Sequence, residues 1–380
     1  GISFLCLTGQ RKDLVNLIFS DSGAVVFNDD MELFFLQIRI EKDYTILFEI
    51  AETMLYAVPL MIVALAGVCA ERSGVINLAL EGIMIFGAFM GVIFIRMFQG
   101  MGFVQEQGQI VMLISMLLTG ICGIAFSMLL AFSAINLRAD QTIGGTALNM
   151  LAPAVVLFFI YMIAQQSTLG MASGGAAGWF MIRPSTFGLP KDYSWGPVLD
   201  LFLNKVYPST YVCLIIFILV SIFLYKTRTG LRLRSCGENP QAADSLGINV
   251  FKMRYLGVGL SGFLAGIGGF TYSMTTANCT STGEVAGYGF LALAVMIFGN
   301  WTPLNIALGS LLFGLFKCIA AIYASLDING DGVYLLAEIG ISPYVYRMLP
   351  YVITLIVLAF TSKSSRVPKA EGIPYDKGQR

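Results

Sequence analysis

Apolar residues run along this chain in blocks of about twenty, parted by short polar stretches, and twenty residues of α-helix is what crossing a hydrocarbon core requires. Such blocks lie near 47–70, 75–97, 110–135, 143–165, 210–225, 253–276, 285–300, 303–324 and 345–361. They predict an all-α protein, a polytopic transmembrane helical bundle of about nine spans within a range of 8–10. The short block 285–300 meets the next through Asn300-Trp301-Thr302-Pro303, so the two form either a tight hairpin or a broken helix. Residues 1–45 are mixed in polarity and read as an N-terminal extension, 46–362 as the membrane domain and 363–380 as a tail. The chain opens on Gly1, and Met31 begins a more typical membrane-protein start, so residues 1–30 are expected to be a dispensable extension with little structure.

Composition agrees and removes several kinds of chemistry. Hydrophobic residues make up 57% of the 380, mean hydropathy is +0.77 and charged residues are 12%; a soluble domain carries about twice that charged fraction. There is no His, which takes away the commonest general base and metal ligand. Seven cysteines stand singly, without CxxC or zinc-like spacing. No GxxxxGK[ST] phosphate loop occurs, so any nucleotide hydrolysis belongs to another polypeptide and this chain is not itself an enzyme.

Charge sets the orientation. Lys226, Arg228, Arg232, Arg234, Lys252 and Arg254 stand against only Glu238 and Asp244 in the stretch 226–254, which the positive-inside rule puts in the cytoplasm. The tail, with Lys363, Arg366, Lys369, Lys377 and Arg380, falls on the same side, and the long loop 166–209 falls outside. That outer loop mixes glycines with Trp179, Phe180, Tyr193 and Trp195, a pattern that suggests short interfacial helices. Within the basic loop, Asn239 can cap a short helix, Pro240 suits its first position and Gly247 its left-handed end. Ala242, Ala243 and Leu246 are expected to share one face of it, a small apolar knob for docking into a partner's groove, or else part of an ordinary capped surface helix.

Polar groups at membrane depth are costly and therefore candidate sites. Glu52, Glu81 and Lys317 qualify, as do Asn77, Asn149 and Asn278. In ERSGVINLALEG, Glu71 and Arg72 can pair, Gly74 relaxes the backbone, and Asn77 and Glu81 are expected four apart on one helical face. That face either lines a translocation path or clamps helices together. Gly262-xxx-Gly266, with Ser261, Ala265 and Gly269 beside it, and Gly87-xxx-Gly91 read as close helix packing.

Three stretches carry a resemblance: ERSGVINLALEGIMIFGAFMG, TGLRLRSCGENPQAADSLGIN, and GYGFLALAVMIFGNWTPLNIALGSLLFG near 287–314. Together they resemble the permease subunits of bacterial ATP-binding-cassette importers for nucleosides and simple sugars, relatives of the ribose and branched-chain amino acid permeases, over about 46–362. The phrase 71–82 looks like the nucleoside branch, although Ala79 stands where that branch usually has Gly. The resemblance implies a multi-pass protein of the bacterial cytoplasmic (inner) membrane, surrounded by lipid and without nucleic-acid partners. By the same resemblance it would pair, as a heterodimer, with a second permease, with ATPase subunits that bind the ATP and Mg, and with an extracytoplasmic substrate-binding protein. Residues 237–247 would then form the coupling helix through Gly237, Glu238, Asn239, Pro240, Ala242, Ala243, Leu246 and Gly247, and 74–82 would approach the pathway. The competing reading is a stand-alone ion-coupled transporter or channel with Glu81 as a proton site.

Overall fold

Within hydrocarbon every backbone N–H and C=O must be satisfied inside the chain, and the apolar blocks accordingly fold as helices. The computed structural model describes residues 52–182, 190, 206–322, 342–361 and 366–377, all within one compact unit, Ile46–Arg380. The expectations for 1–45, Tyr193, Trp195, Lys363 and Arg380 lie outside the described residues.

In chain order the helices are α1 (Glu52–Glu71), α2 (Leu80–Gly100), α3 (Gly108–Ala131, continuing as a π turn through Asn136), α4 (Gln141–Ala164), the short α5 (Ala176–Phe180) and α6 (Pro208–Lys226). Then come α7 (Arg228–Glu238), α8 (Pro240–Ser245), α9 (Val250–Thr275), α10 (Tyr288–Phe298), α11 (Pro303–Ile322) and α12 (Pro343–Thr361). The described residues hold no strand, only isolated bridges of Leu169 with Ser281 and Ile182 with Val206.

Six helices among the described residues, α1, α2, α3, α4, α6 and α11, are long and apolar enough to cross a membrane. At 26 residues α9 measures about 39 Å, long enough to cross, yet it is rich in Gly, Ser and Thr. It can be so because α1, α2 and α3 enclose it and little of it meets lipid: Ser261, Thr271 and Ser273 are fully buried. Small residues set these distances, as the sequence suggested. A Cβ on Gly87 would stand 2.6 Å from the Gly266 carbonyl oxygen, and one on Gly123 would stand 2.3 Å from that of Gly262. The backbones of α2 and α3 therefore touch α9 directly.

The blocks 285–300 and 303–324 form a tight hairpin. Asn300 and Trp301 take left-handed φ of 51° and 56°, and α11 folds back so that Gly309 lies against Phe298 and Val295. With 11 residues, α10 is only about 16 Å long and starts part-way through the bundle.

The block 75–97 differs from expectation. Helix α1 stops at Glu71, Gly74 turns at φ +93°, and the chain runs non-helically to Ala79 before α2 begins. Asn77 and Glu81 therefore do not share a helical face: Asn77 precedes the helix on which Glu81 sits.

Candidate functional site

Non-helical backbone at membrane depth needs outside partners for its amides and carbonyls. The amides of 72–75 turn back onto carbonyls at the end of α1, and from Ile76 to Gly82 side chains supply the partners. The Ile76 amide donates to Gln141 Oε1 at 2.7 Å, the first residue of α4. Asn149 Nδ2 donates to the Leu78 carbonyl at 2.7 Å while its Oδ1 accepts from the Gly82 amide at 2.8 Å. Asn77, fully buried, donates through Nδ2 to Ser261 Oγ on α9 at 2.8 Å, and its Oδ1 accepts from the Ala79 amide at 3.1 Å. Two asparagines and one glutamine thus replace the hydrogen bonds that a helix would have made.

Glu81 leads to the next element. Its carboxylate accepts from the backbone amides of Gly287 at 3.1 Å, Gly289 at 2.6 Å and Phe290 at 3.3 Å. Those amides open α10, whose own N-cap is Gly287 at φ +72° with no side-chain cap. A carboxylate from α2 therefore caps α10 and meets the positive end of its dipole. The backbones are close: a Cβ on Gly289 would lie 2.4 Å from Glu81 Cα. Lys317 stands nearby on α11, its Nζ donating to the Ala286 carbonyl at 3.0 Å and lying 4.8 Å from the Tyr288 ring centre.

At the end of the bundle where α1 stops, the basic loop meets this segment. Gly237 packs so tightly that a Cβ there would stand 2.4 Å from the Arg72 carbonyl oxygen. Arg72 and Glu238 form an ion pair at 3.4 Å, so Arg72 reaches across the chain where a pairing with its neighbour Glu71 was expected. Glu71 instead accepts from Trp301 Nε1 in the α10–α11 turn. Arg254, counted in the sequence as a loop charge, lies one turn into α9 and is 1% exposed. Its guanidinium stands beside Gly74, with Nη2 3.0 Å from where a Cβ would be.

Helix α8 is capped as the sequence predicts. Asn239 Oδ1 accepts from the Ala242 amide at 3.0 Å, Pro240 occupies the first turn and Gly247 takes φ +81°. The shared apolar face is corrected: Ala243 is buried inside this chain with Cys236, Val250 and Tyr375, whereas Leu246 is 82% exposed and Ala242 is exposed too. A six-residue helix lying on its own chain must turn one side inward, and Ala243 packs there with Cys236, Val250 and the distant Tyr375.

Asn77, Glu81 and Asn149 are thus brought together, and 237–247 docks at their outer edge. Asn278 stands apart, past the far end of α9, where its Oδ1 accepts from the Ala176 amide at the start of α5 at 3.2 Å. Glu52 is half-buried at the first residue of α1. Sequence reasoning missed Gln141, Trp301 and the burial of Arg254. Gln141 follows Asp140, which caps α4 through the amides of Thr142 and Ile143, so an amide side chain at the first residue of an apolar block was the available signal.

A family model described as "Branched-chain amino acid transport system / permease component" matches residues 49–358. Among curated proteins the chain is 38% identical over 330 residues to the nucleoside ABC transporter permease protein NupC of Lactococcus lactis subsp. cremoris, covering 87% of this chain and 97% of that protein. It is 40% identical over 332 residues to the guanosine ABC transporter permease protein NupQ of Bacillus subtilis, covering 86% and 96%. NupB, also a nucleoside ABC transporter permease protein of the Lactococcus strain, matches at 23% over 270 residues, 70% of this chain and 71% of that protein. No solved structure matches.

Proposed function

The chain belongs to the branched-chain amino acid transport system permease family, and from that premise we propose that it carries a nucleoside into the bacterial cytoplasm as one membrane subunit of an ATP-binding-cassette importer. ATP and Mg are bound and hydrolysed on separate ATPase subunits, and an extracytoplasmic binding protein delivers the solute. The occurrence of NupB beside NupC in one organism supports a second, different permease as partner. In the bacterial inner membrane, α9, α10 with the loop before it, and α12 supply crossings beyond the six, for about nine in all. The end bearing α7 and α8 faces the cytoplasm.

One contact carries the mechanism: Gly237 against the Arg72 carbonyl, reinforced by the Arg72–Glu238 pair. Motion of α8 on an ATPase surface reaches residues 72–79 without passing through lipid or solvent. Those residues are not helical, so they can shift by exchanging side-chain partners at Asn77, Gln141 and Asn149 rather than by moving a whole helix. Glu81 carries the displacement on to α10. In this scheme Asn77 and Asn149 border the path, and Asn278, just past the end of α9 that lies about 21 Å along its axis from Ser261, meets the solute at the outer mouth. The ion-coupled alternative requires Glu81 to exchange protons with a path, whereas its carboxylate is engaged with three amides.

The test is ATP-driven uptake of radiolabelled guanosine into vesicles holding this permease with its partner permease and ATPase. A Gly237→Ala variant should cut uptake at least fivefold while ATPase subunits still copurify. Uptake that follows an ion gradient without ATP refutes the importer reading.

A further inference from the structure

Residues 366–377 lie beyond the family match, which ends at 358, yet they touch nearly every element at the α8 end of the bundle. The Arg366 amide donates to Asn300 Oδ1 in the α10–α11 turn at 2.7 Å. The Ala370 amide donates to the Gly237 carbonyl at the end of α7 at 2.9 Å. The Glu371 carboxyl lies within electrostatic reach of Glu71 at the end of α1. Gly372, at φ +73°, lies against Ile76, with a Cβ there only 2.8 Å from its Cδ1. Tyr375 is buried with Cys236, Ala243 and Val250 and stacks edge-on to Phe251 at 5.5 Å. Asp376 forms a two-pronged pair with Arg138 between α3 and α4, at 3.0 and 3.1 Å.

Two of these contacts matter most for α8. Tyr375 fills the space behind Ala243, so the inward face of α8 rests on this segment as well as on α9. On the same segment, a few residues earlier, Gly372 presses on Ile76 in the non-helical stretch. One short piece of chain therefore touches both ends of the route from α8 to the pathway. A loose tail would leave α8 hinged between Asn239 and Gly247 and free to tilt without moving 72–79.

We propose that residues 366–377 form a positioning strap for transport, holding α8 and the 72–79 segment in fixed register so that displacement of one is displacement of the other. The strap rests on the importer reading above, and it adds a set of positioning residues, Tyr375 foremost, with the Arg138–Asp376 pair as its outer anchor.

The experiment uses the complete importer in proteoliposomes and measures guanosine moved per ATP hydrolysed. Tyr375→Ser should lower that ratio at least fivefold while basal ATP hydrolysis and the amount of assembled complex stay at wild-type level, and Tyr375→Phe, which keeps the ring, should restore it. Asp376→Arg should lower the ratio two- to threefold, with recovery in the Arg138→Asp, Asp376→Arg double exchange. An unchanged ratio in Tyr375→Ser, or a loss of assembled complex that accounts for the lost uptake, overturns the strap. A second readout does not depend on the solute: spin labels at Leu246 and Thr142, both exposed, should give a narrow distance distribution in the wild-type permease and a broad one in Tyr375→Ser. A wild-type complex without ATP-driven uptake would count against the importer reading alone; a distribution unchanged by Tyr375→Ser would count against the strap alone.

Discussion

Replacing Glu81 with Leu tests whether this carboxylate holds helices or handles solute. Its side chain accepts three backbone amides at the start of α10, and Glu81 itself is 8% exposed. The Gly287 and Phe290 amides are partly exposed and can find water, but the Gly289 bond is buried. Leaving that donor without its charged acceptor costs about 3 kcal/mol, roughly a hundredfold in the balance between closed and opened α2–α10 contact. The assay is fluorescence-detected size exclusion of the complex after a heat challenge, run beside vesicle uptake. Glu81→Leu should lower the midpoint of heat inactivation by several degrees and reduce uptake in proportion to the complex lost. Glu81→Gln should fall between, since its amide oxygen can still accept from Gly289 and Phe290 while its NH2 faces the Gly287 amide. Gly289→Ala should reproduce the heat sensitivity with the charge intact, because its Cβ meets Glu81 Cα at 2.4 Å. A Glu81→Leu complex that survives heat like wild type yet transports nothing would refute the clamp and make the carboxylate a solute ligand.

Leu246→Asp should reduce uptake and guanosine-stimulated ATP hydrolysis together by tenfold or more at unchanged membrane level, because a leucine that is 82% exposed on the free chain is worth about 1.5–3 kcal/mol once buried on a partner. Ala243→Arg should instead lower the amount of folded permease, seen as protein recovered after detergent extraction, since Ala243 faces inward. Burial pushes the Glu371 carboxyl up to about 7 from its ordinary 4.5, against the lowering pull of its neighbours Glu71 and Arg72. The docked segment thus keeps a proton that a released one gives up above about 4.5, so docking is strongest in acid, weakens as pH rises toward 7 and then levels off; protease cleavage within 366–377 should increase from pH 5 to 7.5 in wild type and stay low in Glu371→Gln. A cysteine placed at Arg232 should resist a membrane-impermeant maleimide in intact cells and react in inside-out vesicles, and labelling from outside reverses the orientation.

What the sequence made legible was local or repetitive. The blocks near 110–135, 143–165 and 210–225 became α3, α4 and α6 because apolar length alone decides a lipid-crossing helix. The caps of α8 were readable because Asn239 and Gly247 act within a few residues of themselves. The break at 72–79 was not, since Val75, Ile76 and Leu78 are as apolar as any helix residue, and the partners that make the break tolerable, Gln141, Asn149 and Ser261, lie 65 to 184 residues away. Which of Ala243 and Leu246 faces outward was likewise set by packing that includes the distant Tyr375. Glu81 could be marked as costly from the sequence, but its acceptor role needed the amides of Gly287, Gly289 and Phe290, more than 200 residues on.

The non-helical segment also explains why the three motif stretches meet at one place. A continuous helix from 71 to 100 would transmit a push at its end as motion of the whole rod, and Gly87 and Gly91, locked on Gly266 and Phe270, would resist it. By stopping α1 at Glu71 and starting α2 at Leu80, the chain inserts a piece that is tied to the end of α1 through the amides of 72–75 and, from Ile76 on, to α4 and α9 through side chains. Such a piece could be moved from the α8 end together with the first turn of α2 and Glu81, while the rest of α2 stays packed on Gly266 and Phe270. Each side-chain bond it gives up is worth about 1 kcal/mol, small enough to be broken and remade in a cycle. In the proposed mechanism the motif at 71–82 would supply the movable piece, that at 229–249 the contact that moves it, and that at 287–314 the helix that Glu81 carries along. Under that mechanism their convergence in space would meet one requirement, that motion outside the bilayer reach its middle through backbone that is free to rearrange.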